Sequence, residues 1–248
     1  MNFKLIKRVV VLVFLLATLV NAQVNIEVYM TNQKPKPQNV DFIWWVQKGV
    51  TETQSAKLNY RFDSQDPNWR WLMITEWERT QFQGETVLND GLLHLRSMYR
   101  LAPDLEWEQF TQKQWSDSQN LSDRFLVGTG LRWTVLRNTS GALTALGAGG
   151  MWETEAYKGN PVPNKVRLTT YINYTQPFDT VLFSSTTYFQ PAVDDWANYR
   201  ILNRNSLTYF LFKDMYLKLN ANLDYKDVLV GNANYWKTKF EPILGVQF

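Results

Sequence analysis

Apolar and polar residues alternate with period two along most of the chain beyond residue 40. Ala56, Leu58, Tyr60 and Phe62 alternate with Lys57, Asn59, Arg61 and Asp63. Leu93, Leu95, Tyr99 and Leu101 alternate with His94, Arg96 and Arg100. Phe125 to Val135, Val166 to Tyr174 and Leu217 to Tyr225 repeat the pattern. Period two puts one set of side chains on each face of a strand, so each stretch predicts a strand with one greasy and one wet face. The last stretch does the same: Phe248, Val246, Leu244, Pro242 and Phe240 fall on one face and Gln247, Gly245, Ile243 and Glu241 on the other. Two stretches are less regular. In Leu105–Trp115, Gln109 and Lys113 share the face of Leu105 and Trp107, and Lys113 is tolerated there only if its ammonium reaches an interface. Ala142–Glu153 is rich in Gly and Ala and does not reveal its facing.

In total the pattern predicts about twelve strands of roughly nine to fourteen residues, the length of tilted membrane strands. The connections carry a second signal. Even-numbered ones read as compact turns, at Pro67, Pro103, Asn138–Gly141, Pro177 and Lys213. Odd-numbered ones read as longer polar loops, over Thr80–Asp90, Ser116–Ser122, Glu155–Asn164, Pro191–Asn198 and around Gly231-Asn232; the first, near Gly49, is short. Short periplasmic turns and longer outer loops are the habit of outer-membrane barrels. The expected fold is therefore all-β: an antiparallel transmembrane β-barrel of about twelve strands with both termini periplasmic, in the bacterial outer membrane. A soluble β-protein of the periplasm is the alternative architecture.

The N-terminus reads as a signal peptide over residues 1–22. Lys4, Lys7 and Arg8 precede the apolar run Val9–Val20, and Val20-Asn21-Ala22 suits cleavage. Residues 23–39, with Lys34-Pro35-Lys36-Pro37, read as a periplasmic lead-in, and 40–248 as the barrel. No later run approaches the ~20 apolar residues of a membrane helix, so membrane residence requires a closed barrel. Composition narrows the chemistry. The 248 residues include no cysteine, which excludes disulfides, thiolate metal sites, a thiol nucleophile and a lipid-modified N-terminal cysteine. A net charge of +3 gives no nucleic-acid footprint. An aromatic content of 15% matches the interfacial girdles of a membrane barrel.

Candidate chemistry is sparse. His94 is the single histidine. Outer-membrane lipid hydrolases use His-x-Ser on one strand face; here the order is His94-Leu95-Arg96-Ser97, which sends Ser97 to the opposite face. A serine from another strand could still serve, so a lipid-modifying hydrolase using His94 remains an alternative. Asp194-Asp195 reads as a solvated loop end. No catalytic residue, cofactor or metal site is assigned. The faces assigned as inward place Lys57, Arg61, His94, Arg96, Arg100, Glu106, Glu108, Arg124, Arg132, Arg167, Arg200, Arg204, Lys218 and Asp224 in the lumen. They read either as arginine–carboxylate pairs bracing a narrow lumen or as the lining of a small passive pore with weak anion preference.

The terminal strand, ending on Leu244, Val246 and Phe248, resembles the closing strands whose final Phe helps the barrel-assembly machinery recognise its clients. Leu105-Glu106-Trp107-Glu108-Gln109-Phe110, Asp123–Arg132, Ser185-Thr186-Thr187-Tyr188-Phe189-Gln190-Pro191 and Tyr199-Arg200-Ile201-Leu202-Asn203 resemble a salt-induced outer-membrane protein family of bacteria. The Thr-Thr-Tyr-Phe-Gln-Pro block is the most specific part. The resemblance implies an outer-membrane barrel of undefined function and carries over no catalytic residue. The partners expected are outer-membrane lipids, the barrel-assembly machinery and periplasmic chaperones in transit, with no nucleic acid.

Overall fold

The computed structural model describes residues 38–47, 53–158, 160–212, 214–226 and 235–247. Residues 1–37, Phe248, the first connection and the Gly231-Asn232 loop lie outside them. The described residues form twelve strands: β1 Gln38–Gln47, β2 Thr53–Gln65, β3 Trp69–Phe82, β4 Glu85–Ala102, β5 Leu105–Ser116, β6 Leu121–Arg137, β7 Leu143–Tyr157, β8 Asn160–Phe178, β9 Val181–Phe189, β10 Arg200–Phe210, β11 Met215–Lys226 and β12 Tyr235–Gln247. Each pairs antiparallel with its sequence neighbour, and β1 pairs with β12 to close the barrel. Closure rests on a short ladder, Asn39 opposite Gln247, Val40 opposite Val246 and Asp41 opposite Gly245.

The alternation read from the sequence is the alternation of the wall. Leu58, Leu95, Val127, Ile172, Leu217 and Leu244 are exposed on the outer face, and their polar neighbours are buried inside. Small apolar clusters interrupt the polar interior: Tyr171, Tyr188 and Leu202; Phe110, Leu126 and Met151; and Leu72 with Ile74. The Gly/Ala stretch has a definite facing. Gly147, Gly149, Met151 and Glu153 alternate with the exposed Leu146, Ala148 and Trp152. Gly149 stands opposite Gly130 of β6. A Cβ on Gly149 would lie 2.2 Å from the Thr129 carbonyl oxygen, and one on Gly130 would lie 2.7 Å from that of Ala148. The two strands therefore approach with no room for a side chain, and the sheet curls tightly there.

Two connections differ from expectation. The predicted loop Thr80–Asp90 is a two-residue hairpin turn, with β3 running to Phe82 and β4 starting at Glu85. Gln83 and Gly84 have φ of 50° and 84°, the mirror-image turn whose twist matches paired strands. The predicted loop Glu155–Asn164 is likewise paired structure, with β7 reaching Tyr157 and β8 beginning at Asn160. Register slips between Glu153 and Glu155, so Pro163 sits in a bulge where its missing N–H breaks no ladder bond. Polar composition suggested loops because these hairpin ends stand beyond the apolar belt, where strand faces are wet on both sides. The expected contrast between short and long connections is correspondingly reduced.

Candidate functional site: the ion-paired interior

The inward faces of neighbouring strands bring charges together along the barrel. At one level Glu153 of β7, itself 1% exposed, collects three guanidiniums. Arg124 of β6 donates Nε to it at 2.7 Å, Arg167 of β8 donates Nε at 2.7 Å, and Arg200 of β10 donates Nη1. Glu155 takes the remaining reach of Arg200 Nη2 at 2.8 Å and lies 3.3 Å from Arg124 Nε. Arg167 also anchors the segment between β9 and β10, donating to the Asn198 carbonyl and Oδ1 at 2.9 Å each. Lys165 of β8 hydrogen-bonds Asp194 of that segment at 2.8 Å and holds its exposed carboxyl below the usual carboxylate range.

A second group lies nearer the opposite end. Arg96 of β4 pairs with Glu108 of β5 at 3.2 Å and lies over the Phe110 ring, 5.1 Å from its centre. Glu108 also accepts from the Tyr171 hydroxyl at 2.9 Å. His94 is fully buried beside this group. Its Nδ1 is 3.1 Å from Gln112 Oε1 and its Nε2 3.5 Å from Arg96 Nε. Arginine can only donate, so Nε2 accepts and Nδ1–H donates to Gln112. Arg132 donates to Glu106 at 2.9 Å. Back toward the hub's end, Arg204 donates to Asp224 at 2.6 Å.

The closing seam has its own braces. Lys218 of β11 reaches across β12 to Asp41 of β1 at 2.9 Å, and the Tyr216 hydroxyl donates to the same carboxylate at 2.5 Å. Lys57 of β2 reaches across β1 to Glu241 of β12. Lys239 of β12 reaches Glu78 of β3 at 3.0 Å. Ion pairs that skip one or two strands hold the edges together where the backbone ladder is shortest.

Lys57, Arg61, His94, Arg96, Glu108, Arg124, Arg132, Arg167, Arg200, Arg204, Lys218 and Asp224 are all buried on the inner side of the wall. Glu106 is half-buried, and Arg100, at the end of β4, is exposed. Among the closing-strand residues, Leu244 and Val246 are exposed on the outer face, and Phe248 lies outside the described residues. Sequence reasoning missed Glu153 and Glu155, the centre of the largest group. Trp152 was the available signal: an outward aromatic at a girdle position turns Glu153 inward. Asp41, Arg70 and Tyr171 were also missed. Arg70 donates Nε to Asp63 at 2.9 Å.

Ser97 stands on the far side of the wall from His94, in an outer groove of about 830 Å³ with Trp71, Trp107 and Trp152 on its rim. Among the described residues no hydroxyl is hydrogen-bonded to His94, and no group of His, Asp and Glu is arranged to hold a metal ion. On the outer face Lys113 pairs with Asp123, which supplies the partner its position demanded.

A closed barrel with an ion-paired interior and an apolar exterior satisfies its backbone within the wall and presents hydrocarbon to lipid. This is the architecture of a bacterial outer-membrane barrel. Among solved structures, the NanC porin is similar at 16% identity over 85% of this chain and 98% of its own, with a TM-score of 0.48. The KdgM porin is similar at 11% identity over 85% of this chain and 99% of its own, with a TM-score of 0.46. The translocator domain of the autotransporter NalP from Neisseria meningitidis gives 8% identity over 85% and 87%, with a TM-score of 0.49. No curated protein matches the chain. The model of a family described as a protein of unknown function, DUF481, matches residues 44–248, from within β1 to the final residue, and the chain belongs to that family.

Proposed function

We propose that the protein is a non-enzymatic structural barrel of the outer membrane whose interior is held shut by its own ion pairs, with both termini periplasmic. The sharing of Glu153 by Arg124, Arg167 and Arg200 carries this reading. A pore lined for conduction keeps its charges in water. Here the arginines are buried and committed to carboxylates on other strands, which braces the wall instead. Outer-membrane lipids cover the belt, the barrel-assembly machinery takes the closing strand, and periplasmic chaperones escort the chain in transit. The resemblance to the salt-induced family makes osmotic challenge the condition in which to seek a phenotype.

A narrow pore with weak anion preference is the second reading. It draws on the surplus at the hub, where three guanidiniums meet two carboxylates. Flux of chloride and of small sugars from protein-loaded vesicles separates the two. Flux equal to that of empty vesicles is expected. Chloride release that falls on charge reversal of Arg124, Arg132 and Arg200 would establish the pore instead. The hydrolase alternative requires lipid hydrolysis abolished by His94→Ala; with His94 inside the wall and Ser97 outside it, no hydrolysis is expected.

A further inference from the structure

The lipid-facing belt carries a polar island at the middle of β9 and β10. Ser185 and Thr187 of β9 point outward beside Asn205 and Asn203 of β10, with Ser185 opposite Asn205 and Thr187 opposite Asn203. Ser185 is the middle residue of β9 and Asn205 the middle residue of β10, so the island lies mid-belt. Apolar side chains ring it, with Ile172, Phe183, Leu207 and Leu223 as register neighbours. Within the island Asn203 Nδ2 donates to Thr187 Oγ1 at 2.8 Å. Asn205 Nδ2 donates to Asn203 Oδ1 and, at 3.2 Å, to the Ala221 carbonyl. The Asn205 Oδ1 and the Ser185 hydroxyl take no part in these bonds.

Two amides on a lipid-facing surface are costly, because acyl chains offer no hydrogen bond. Polar side chains in hydrocarbon find partners on another protein surface. We infer that this island is a contact between two copies of the chain, related by a two-fold axis along the membrane normal. Such an axis reflects left to right across the contact, so Ser185 of one copy meets Asn205 of the other. Each hydroxyl then donates to the opposing Asn205 Oδ1. The two groups left over in one copy are thus satisfied twice by the same bond, a self-complementarity that neither lipid nor an apolar surface offers. The short side chains of Ser185, Thr187 and Ala221 let the walls approach closely.

The inference rests on the barrel lying in a membrane, which heat-modifiable migration and resistance to carbonate extraction check separately. The chain lacks cysteine, so single cysteines report contact cleanly. Membranes co-expressing Ser185→Cys and Asn205→Cys copies are oxidised and compared with those carrying Leu58→Cys on β2. A covalent dimer in the mixed pair, above the Leu58→Cys background, is expected. Asn205→Leu should weaken association in vesicles about tenfold, the loss of two such membrane hydrogen bonds. A mixed pair that cross-links no better than Leu58→Cys overturns the inference, and so does folded Asn205→Leu that associates as tightly as the parent.

Discussion

Replacing Glu153 by glutamine probes the hub with the least change in shape. The carboxylate is 1% exposed and partners Arg124, Arg167 and Arg200. Neutralising it leaves three guanidiniums against Glu155, which reaches only Arg124 and Arg200. Removing one partner of a buried ion pair costs about 3–5 kcal/mol. Glu155 and the Asn198 carbonyl that accepts from Arg167 retain part of the interaction. The expected loss is therefore at the lower end, ~3 kcal/mol, or roughly 150-fold in the folding equilibrium. Urea unfolding in lipid vesicles, followed by the fluorescence of the 11 tryptophans, measures it. Glu153→Gln combined with Arg167→Gln should cost less than the sum of the two by at least about 1 kcal/mol, because the groups share one network. A Glu153→Gln protein within about 0.5 kcal/mol of the parent, or strict additivity, would refute the bracing role.

Other consequences are open to simpler tests. Gly149→Ala puts a methyl 2.2 Å from the Thr129 carbonyl oxygen, backbone that no rotamer relieves, and should cost about 1–3 kcal/mol or block assembly, read as loss of the heat-modifiable folded band. Lys165→Met should return the Asp194 carboxyl toward its ordinary value, seen as an upward shift of its titration by NMR. That pair favours the fold above the unfolded carboxylate value and ceases to as pH falls through the depressed one; with the Asp194 carboxyl exposed to solvent, its loss should barely move the unfolding midpoint. Deleting Phe248 should lower the yield of folded barrel in the membrane, and normal yield would count against its part in assembly.

Strand alternation was legible because the belt imposes it: Leu58, Val127 and Leu217 had to face lipid, which turned Lys57, Arg124 and Lys218 inward. Hairpin ends were not legible as strands, since beyond the belt neither face is apolar and Thr80–Asp90 looked like loop. The turn at Gln83-Gly84 was marked only by its glycine. Glu153 escaped notice for a different reason. Its strand faces Gly128 and Gly130 across a tight curl, and glycine and alanine carry no hydrophobic contrast to set the period. Which arginine pairs with which carboxylate depends on register between strands, and periodicity within one strand says nothing of it. Arg200 reaching Glu153, from β10 to β7, is a product of barrel curvature alone.

Single-channel recording in a planar bilayer tests the central claim most directly. Protein shown to be folded by heat-modifiable migration should give a silent bilayer, and Glu153→Gln, with its arginines loosened, should give intermittent small openings. Steady, uniform conductance steps from the unaltered protein would contradict an interior held shut by ion pairs.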